Sequence, residues 1–314
     1  MNFGIIGSGF GIYGWLSALN YFDGIKIFTL ASYKKKFLER KDIENLSTLG
    51  KSINWCENEE LVFKSVDLLI IARRPIDQIK IINNLISQSW KGSLIIEKPI
   101  APTPELSKKI IKKLLTNNIN LQVGFSINET NWSRKVKKLI LKKKPKGISI
   151  NWNFLADHYK YNKRTWKSNP IFGGGALNFY CIHLIAWLSS FSKWKVNSCS
   201  PLLSKTNDPN IIFKLSNEST NLEINCNSMN KNLNSFTVIE KSNRNELILN
   251  LKNPFSEKTI KRNVVKPDLR VPYLIKIIEK TVKNNWIDYS FLEKHIKLWR
   301  SIKNKRKILI TPPF

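Results

Sequence analysis

Through the first 125 residues, short apolar runs alternate with longer segments of helical period. The runs are Phe3 to Ile6, which ends in glycines, then Ile25 to Ala31, Leu68 to Ala72, Leu94 to Ile96 and Leu121 to Phe125. Runs this short, without polar alternation, fit strands buried on both faces. Between them, Tyr13 to Leu19, Asp77 to Ser89 and Thr103 to Thr116 have helical patterns, and a polar helix candidate follows Ala31. Thr103, Pro104 and Glu105 supply an N-cap, a first-turn proline and an acidic first turn. The repeated β-α-β order predicts an α/β fold built on a doubly wound parallel sheet.

After Phe125 the pattern changes. Trp132 to Leu141 and Ala176 to Leu188 read as helices, and Gly147 to Leu155 alternates like a strand. Four strand-like runs follow, Ile211 to Lys214, Leu222 to Cys226, Phe236 to Glu240 and Glu246 to Leu251, punctuated by Asn and Ser. Such punctuation predicts antiparallel or mixed pairing. Two helices, Pro272 to Asn284 and Tyr289 to Ile302, and a last strand at Ile308-Leu309-Ile310 complete the prediction. The change of pattern sets two domains, 1–122 and 123–314, with the C-terminal helix and strand free to pack back on the first. A length of 314 residues agrees with two domains at roughly 150 residues each.

Composition narrows the class. Hydrophobic residues make up 42% and aromatics 11%, too rich for a disordered chain. No unbroken run of 18 apolar residues is present, and the N-terminus lacks a basic leader, so no membrane association is expected. Four scattered cysteines without a C-x-x-C pair, and three histidines without ligand spacing, argue for reduced thiols in the cytoplasm and for no metal.

The formal charge of +29 invites a nucleic-acid reading. Its best support is the basic stretch from Arg134 to Lys146, which an amphipathic surface helix explains without a partner. The charge is spread from Lys26 to Lys307 in a chain also rich in Asn and Ile, a pattern of coding bias, so no nucleic-acid partner is expected.

Three segments carry candidate chemistry. The first is Gly7-Ser8-Gly9-Phe10-Gly11-Ile12-Tyr13-Gly14, between a strand and a helix. There Gly7 permits a tight turn and Gly9 lets the backbone approach a pyrophosphate at the helix N-terminus. Ile12 stands where the third glycine of the usual fingerprint falls, flanked by Gly11 and Gly14. After the second strand, Ser32 and Lys34 to Lys36 occupy the place where an acid would bond the ribose of NAD. A hydroxyl and cations there suit the 2′-phosphate of NADP, the favoured cofactor of the two, although a solvated basic helix start accounts for them equally.

The second segment is Glu97-Lys98-Pro99, at the end of a buried strand, where α/β sheets place ligands. Lys98 in such a crevice can exchange a proton with a substrate hydroxyl, or be an ordinary solvated lysine. The third runs from Trp166 and Lys167 through Gly173-Gly174-Gly175 to Asn178, Phe179 and His183. Arg73 and Arg74, just before Pro75, face either a cofactor or substrate phosphate, or open solvent.

Together these segments, with Val123-Gly124-Phe125, resemble the glucose–fructose oxidoreductase, inositol dehydrogenase and MocA family of NAD(P)-dependent oxidoreductases over nearly the whole chain. The resemblance implies a Rossmann domain followed by an α/β domain with a large, mostly antiparallel sheet, a sugar-like small-molecule substrate, and a homo-oligomer. It implies that Lys98 is the catalytic lysine and that His183 bonds a sugar hydroxyl and shares the proton. Of the cofactor-side candidates Gly7, Gly9, Phe10, Gly11, Ser32, Lys34, Arg73, Arg74, Pro75, Glu97 and Pro99, the resemblance matches Gly7, Gly9, Glu97 and Pro99, while Arg73 and Arg74 stand where the family more often has small residues and prolines. Trp166, Lys167, Asn178 and Phe179 would face the substrate.

One departure matters. Four residues before the histidine the family often carries an Asp; here it is Phe179, which can neither accept a proton nor bond a hydroxyl. Asn178 is adjacent but rotated by about 100° on a helix. Phe179 keeps open an alternative, a catalytically impaired cofactor-binding regulator or scaffold.

Overall fold

The computed structural model describes residues 1–40, 52–257, 267–284 and 286–306; the strand predicted at Ile308-Leu309-Ile310 lies outside the described residues. These residues divide into two compact units. One draws on residues 1–40, 52–100, 109–126, 267–284 and 286–287, the other on 101–108, 127–257 and 288–306.

The first unit holds a six-stranded parallel sheet in the order β3-β2-β1-β4-β5-β6. Its strands are β1 (Asn2–Ile6), β2 (Lys26–Leu30), β3 (Ile53–Cys56), β4 (Leu68–Ile71), β5 (Ser93–Ile96) and β6 (Asn120–Val123). All four residues of β4 are buried, as are Leu94 to Ile96 of β5, so the apolar runs mark the centre of the sheet. The strand order reverses between β1 and β4, the position where doubly wound sheets open a ligand crevice. The chain after β1 enters helix α1, which opens on a wide π-type turn, Gly11–Leu16, and continues as Ser17–Leu19. The chain after β4 enters helix Pro75–Ser87 with proline in the first turn. The short strand β3 and helix Glu59–Ser65 are additional to the predicted elements.

The second unit is built on a six-stranded sheet ordered β12-β11-β7-β10-β9-β8. Its strands are β7 (Gly147–Asn153), β8 (Lys195–Cys199), β9 (Asn210–Ser216), β10 (Asn221–Asn227), β11 (Ser235–Lys241) and β12 (Glu246–Leu251). Only the β7–β10 pair is parallel, so the sheet is mostly antiparallel. Buried positions alternate with exposed or half-buried ones along β9 and β10, as one covered face requires. Ile150, Phe213, Leu215, Ile224, Phe236 and Val238 fill that face.

Helix Ile182–Ser189, buried throughout, packs in the core of this unit with helix Tyr289–Lys305. The stretch Pro170–Ser189 is long and apolar enough to cross a membrane, but most of it is buried inside the protein.

Candidate functional site

In the first unit the glycine loop leaves β1 beside the end of β4. A Cβ on Gly7 would collide with the Ala72 carbonyl, so glycine is what lets the two strand ends approach. A Cβ on Gly9 would meet nothing within 4 Å, which leaves the backbone there open to a ligand. Gly11 is buried against Ile5. The aromatic residue between them is folded back: the Phe10 ring lies where a Gly14 Cβ would be, and Tyr13 meets that ring edge-on at 5.2 Å. The Phe10 ring therefore accounts for glycine at position 14.

Glu97, Lys98 and Pro99 follow β5 and are buried; Glu97 is 8% exposed and Lys98 6%. Trp15 Nε1 donates to Glu97 Oε1 at 2.9 Å, and the Lys98 amide donates to Oε2 at 3.2 Å. Burial pushes the Glu97 carboxyl above its ordinary range, against the pull of Lys98 and Arg270. The Lys98–Pro99 peptide is cis. Gln78 anchors this turn: its Nε2 is shared among the carbonyls of Glu97, Pro99 and Ile100 at 3.1, 2.9 and 3.1 Å.

The remaining cofactor-side candidates sit in two turns. Ser32 and Lys34 are exposed after β2, and Tyr33 between them is buried. Arg73 donates to the Tyr33 hydroxyl at 3.0 Å and lies 4.0 Å from Asp77. Arg74 is held by Asp77 through two bonds of 2.6 and 3.2 Å, so Arg73 is the one of the pair turned toward the β2 end. Pro75 is buried in the first turn of its helix. A nicotinamide dinucleotide fits these residues: a strand–loop–helix turn with an open glycine lies at the switch point of a parallel sheet.

In the second unit, the glycine triplet serves close packing. A Cβ on Gly174 would strike the backbone of Trp166 and Lys167, and one on Gly175, where φ is +81°, would come within 2.6 Å of Asp208. The triplet thereby seats the Trp166–Lys167 turn next to the helix that follows. Trp166 meets the Phe179 ring edge-on at 5.3 Å, and Lys167 Nζ lies 5.7 Å from the centre of the same ring. Asn178 is turned away from them; it accepts from Trp299 Nε1 at 3.0 Å and donates to the Pro170 carbonyl at 3.2 Å.

His183 is 2% exposed, with the Phe255 ring 5.7 Å away. His158, buried and stacked near Tyr180, has its titration pushed down to about 4, first by burial and then by Lys167.

The structure thus gathers Gly7, Gly9, Phe10, Gly11, Glu97, Lys98 and Pro99 at the carboxyl ends of one sheet, and Trp166, Lys167 and Phe179 around one ring. Lys98 and His183 belong to different units. Trp15, Gln78 and Arg270 join the first group, although the sequence analysis did not single them out. The one local sign was Gln78, a glutamine on the buried stripe of an otherwise apolar helix face.

The two units, each with its strand order, form a fold found among solved structures. That fold is shared by the WlbA dehydrogenase from Bordetella pertussis, solved in complex with NADH and UDP-GlcNAcA. The TM-score is 0.70 at 11% identity, over 100% of this chain and 98% of that one. A 3-ketoreductase from Actinomadura kijaniata, in complex with NADP and TDP-benzene, gives 0.69 at 10% identity over 99% of each chain. The myo-inositol dehydrogenase from Lactobacillus casei, in complex with NAD(H) and myo-inositol, gives 0.68 at 15% identity over 100% of this chain and 98% of that one. No protein-family model and no curated protein sequence matches the chain.

Proposed function

We propose that the protein is an NAD(P)-dependent oxidoreductase acting on a hydroxyl or keto carbon of a sugar, sugar acid or nucleotide sugar. The observation that carries this reading is the pairing, on one parallel sheet, of an open glycine loop after β1 with buried Glu97-Lys98-Pro99 after β5. The three enzymes that share the fold, each solved with a nicotinamide dinucleotide, support it. On this reading residues 1–122 bind the dinucleotide, and residues 123–314 bind substrate and make the contacts of a homo-oligomer in the cytoplasm. Neither nucleic acid nor membrane is a partner.

When bound, the nicotinamide supplies the redox chemistry, accepting or giving a hydride at the reacting carbon. The chain's own share is positioning and proton transfer. Lys98 takes the proton of the hydroxyl as it is oxidised and returns it in the reverse direction, and His183 bonds a sugar hydroxyl. Trp166, Lys167 and Phe179 line the sugar side. NADP is favoured over NAD because Ser32, Lys34 and Arg73 offer a hydroxyl and cations, without an acid, after β2.

A second reading, a cofactor-binding regulator without turnover, draws on Phe179, an apolar ring where the resemblance expects an acid. One experiment separates the two. Purified protein is screened with NADP and NAD against sugars, sugar acids and nucleotide sugars, alongside Lys98→Ala. Turnover in the wild type that Lys98→Ala abolishes, with dinucleotide binding retained, is the expected result. Full activity in Lys98→Ala overturns the assignment of Lys98, and dinucleotide binding without turnover on any substrate class favours the regulator.

A further inference from the structure

Arg270 lies at the start of helix α2 (Val271–Val282), which packs on α1 in the first unit. Its guanidinium carbon is 3.8 Å from the centre of the Phe10 ring. Nε and Nη2 donate to the two oxygens of Asp268, each at 2.8 Å, and the Arg270 amide donates to Asp268 Oδ1 at 2.9 Å. The same guanidinium lies close enough to Tyr13 and Glu97 to act on both electrostatically. Arg270 is thus stacked by its face and bonded along one edge, an arrangement suited to a planar guanidinium.

The contacts converge on one short segment. Phe10 and Tyr13 are the two aromatic residues of the glycine loop, and no side chain caps the start of α1 at Phe10. The Phe10 ring lies against Gly14, and Arg270 stacks over that ring. A second cation, Arg40, stacks over Tyr13 at 4.7 Å. The first turn of α1, whose backbone amides would face a pyrophosphate, is thereby held from a point about 260 residues away in sequence.

We infer that Arg270, fixed by Asp268, is a positioning residue for the dinucleotide loop. It clamps Phe10 against Gly14, so that the turn after Gly9 is preformed for the cofactor pyrophosphate. Preforming a loop strengthens binding by removing the ordering cost from the binding step. The inference rests on the proposed function, since it takes the ligand of this loop to be a nicotinamide dinucleotide.

The test titrates NADPH and NADH into the full chain by quenching of tryptophan fluorescence, for the wild type, Arg270→Met, Arg270→Lys and Phe10→Leu. Arg270→Met weakens the preferred dinucleotide by about tenfold, and Arg270→Lys restores part of the loss. Phe10→Leu, which leaves the Arg270–Asp268 pair intact, weakens binding similarly, and the double variant Arg270→Met with Phe10→Leu is little worse than either single. In steady-state assays the KM for the dinucleotide rises by more than kcat falls.

Melting curves confirm that each variant is folded. Should Arg270→Met fail to fold, Phe10→Leu carries the test alone. A folded Arg270→Met, or Phe10→Leu in its place, that binds as tightly as the wild type overturns the inference and leaves the function standing. A wild type that binds neither dinucleotide overturns both.

Discussion

Trp15 and Glu97 are joined by a 2.9 Å hydrogen bond that ties the glycine-loop helix to the turn after β5. Gly124 makes the bond possible, because a Cβ there would stand 2.7 Å from the Glu97 carboxylate and 3.2 Å from the Trp15 ring. Both side chains are buried, so removing the donor leaves a carboxylate that water cannot reach. Trp15→Phe is expected to cost about 1–3 kcal/mol in urea unfolding. Burial has already raised the folded pKa of Glu97, so its charged form weakens the fold as pH rises through the window above the ordinary carboxylate value. Loss of the Trp15 bond raises it further. The deficit of Trp15→Phe is therefore larger at pH 8 than at pH 5; an equal deficit at both would show that the bond is not made to a titrating carboxylate.

Two histidines of the second unit set an acid limit on stability. His158 is held down to about 4 by burial and Lys167, and His295, between the rings of Phe291 and Trp299, to about 3 by burial. Both folded values lie below the unfolded value near 6.5, so the unfolded chain binds the extra protons. Their contribution is complete above about pH 6.5 and is lost as pH falls toward the folded values, each histidine removing about 1.4 kcal/mol per pH unit inside its window. Melting temperature should fall steeply from pH 6.5 to 4.5. In His295→Gln and His158→Gln the fall should be shallower. A slope unchanged in both variants would place the acid sensitivity elsewhere.

What the sequence made legible follows from range. Leu68–Ile71 and Leu94–Ile96 could be read as central strands because burial on both faces writes itself as an unbroken apolar run. Thr103 could be read as a cap because its partner, the Leu106 amide, is three residues away. The β3 strand, Ile53-Asn54-Trp55-Cys56, was not legible: it is four residues long and only Ile53 is buried. The candidate site divides in the same way. Gly7, Gly9 and Glu97-Lys98-Pro99 carry local motifs. The partners that hold them, Trp15 for Glu97 and Arg270 for Phe10, are separated from them by dozens to hundreds of residues and have no motif of their own. Asn178 is the converse case. Its place in a motif-bearing segment made it a substrate candidate, but its amide is bonded to Trp299 and the Pro170 carbonyl.

The turn after β2 decides which dinucleotide is preferred. Ser32 and Lys34 are exposed there, and Arg73 reaches toward the same turn through its bond to the Tyr33 hydroxyl. Arg73 also feels Asp77 at 4.0 Å and lowers the pKa of Glu59, which burial raises, so part of its charge is already balanced within the unit. Ser32 is the position at which one substitution changes the sign of the site. An aspartate there would accept from the ribose 2′-hydroxyl of NADH and repel the 2′-phosphate of NADPH. By fluorescence titration the wild type should bind NADPH more tightly than NADH. Ser32→Asp should move the ratio toward NADH by about tenfold or more, because a like-charge contact costs several kcal/mol when it forms. The shift should shrink as salt rises, since the turn is exposed and its charges are screened beyond about 10 Å at 0.1 M ionic strength. Tighter NADH binding by the wild type would defeat the NADP preference, and an unchanged ratio in Ser32→Asp would place the adenosine ribose away from the β2 turn.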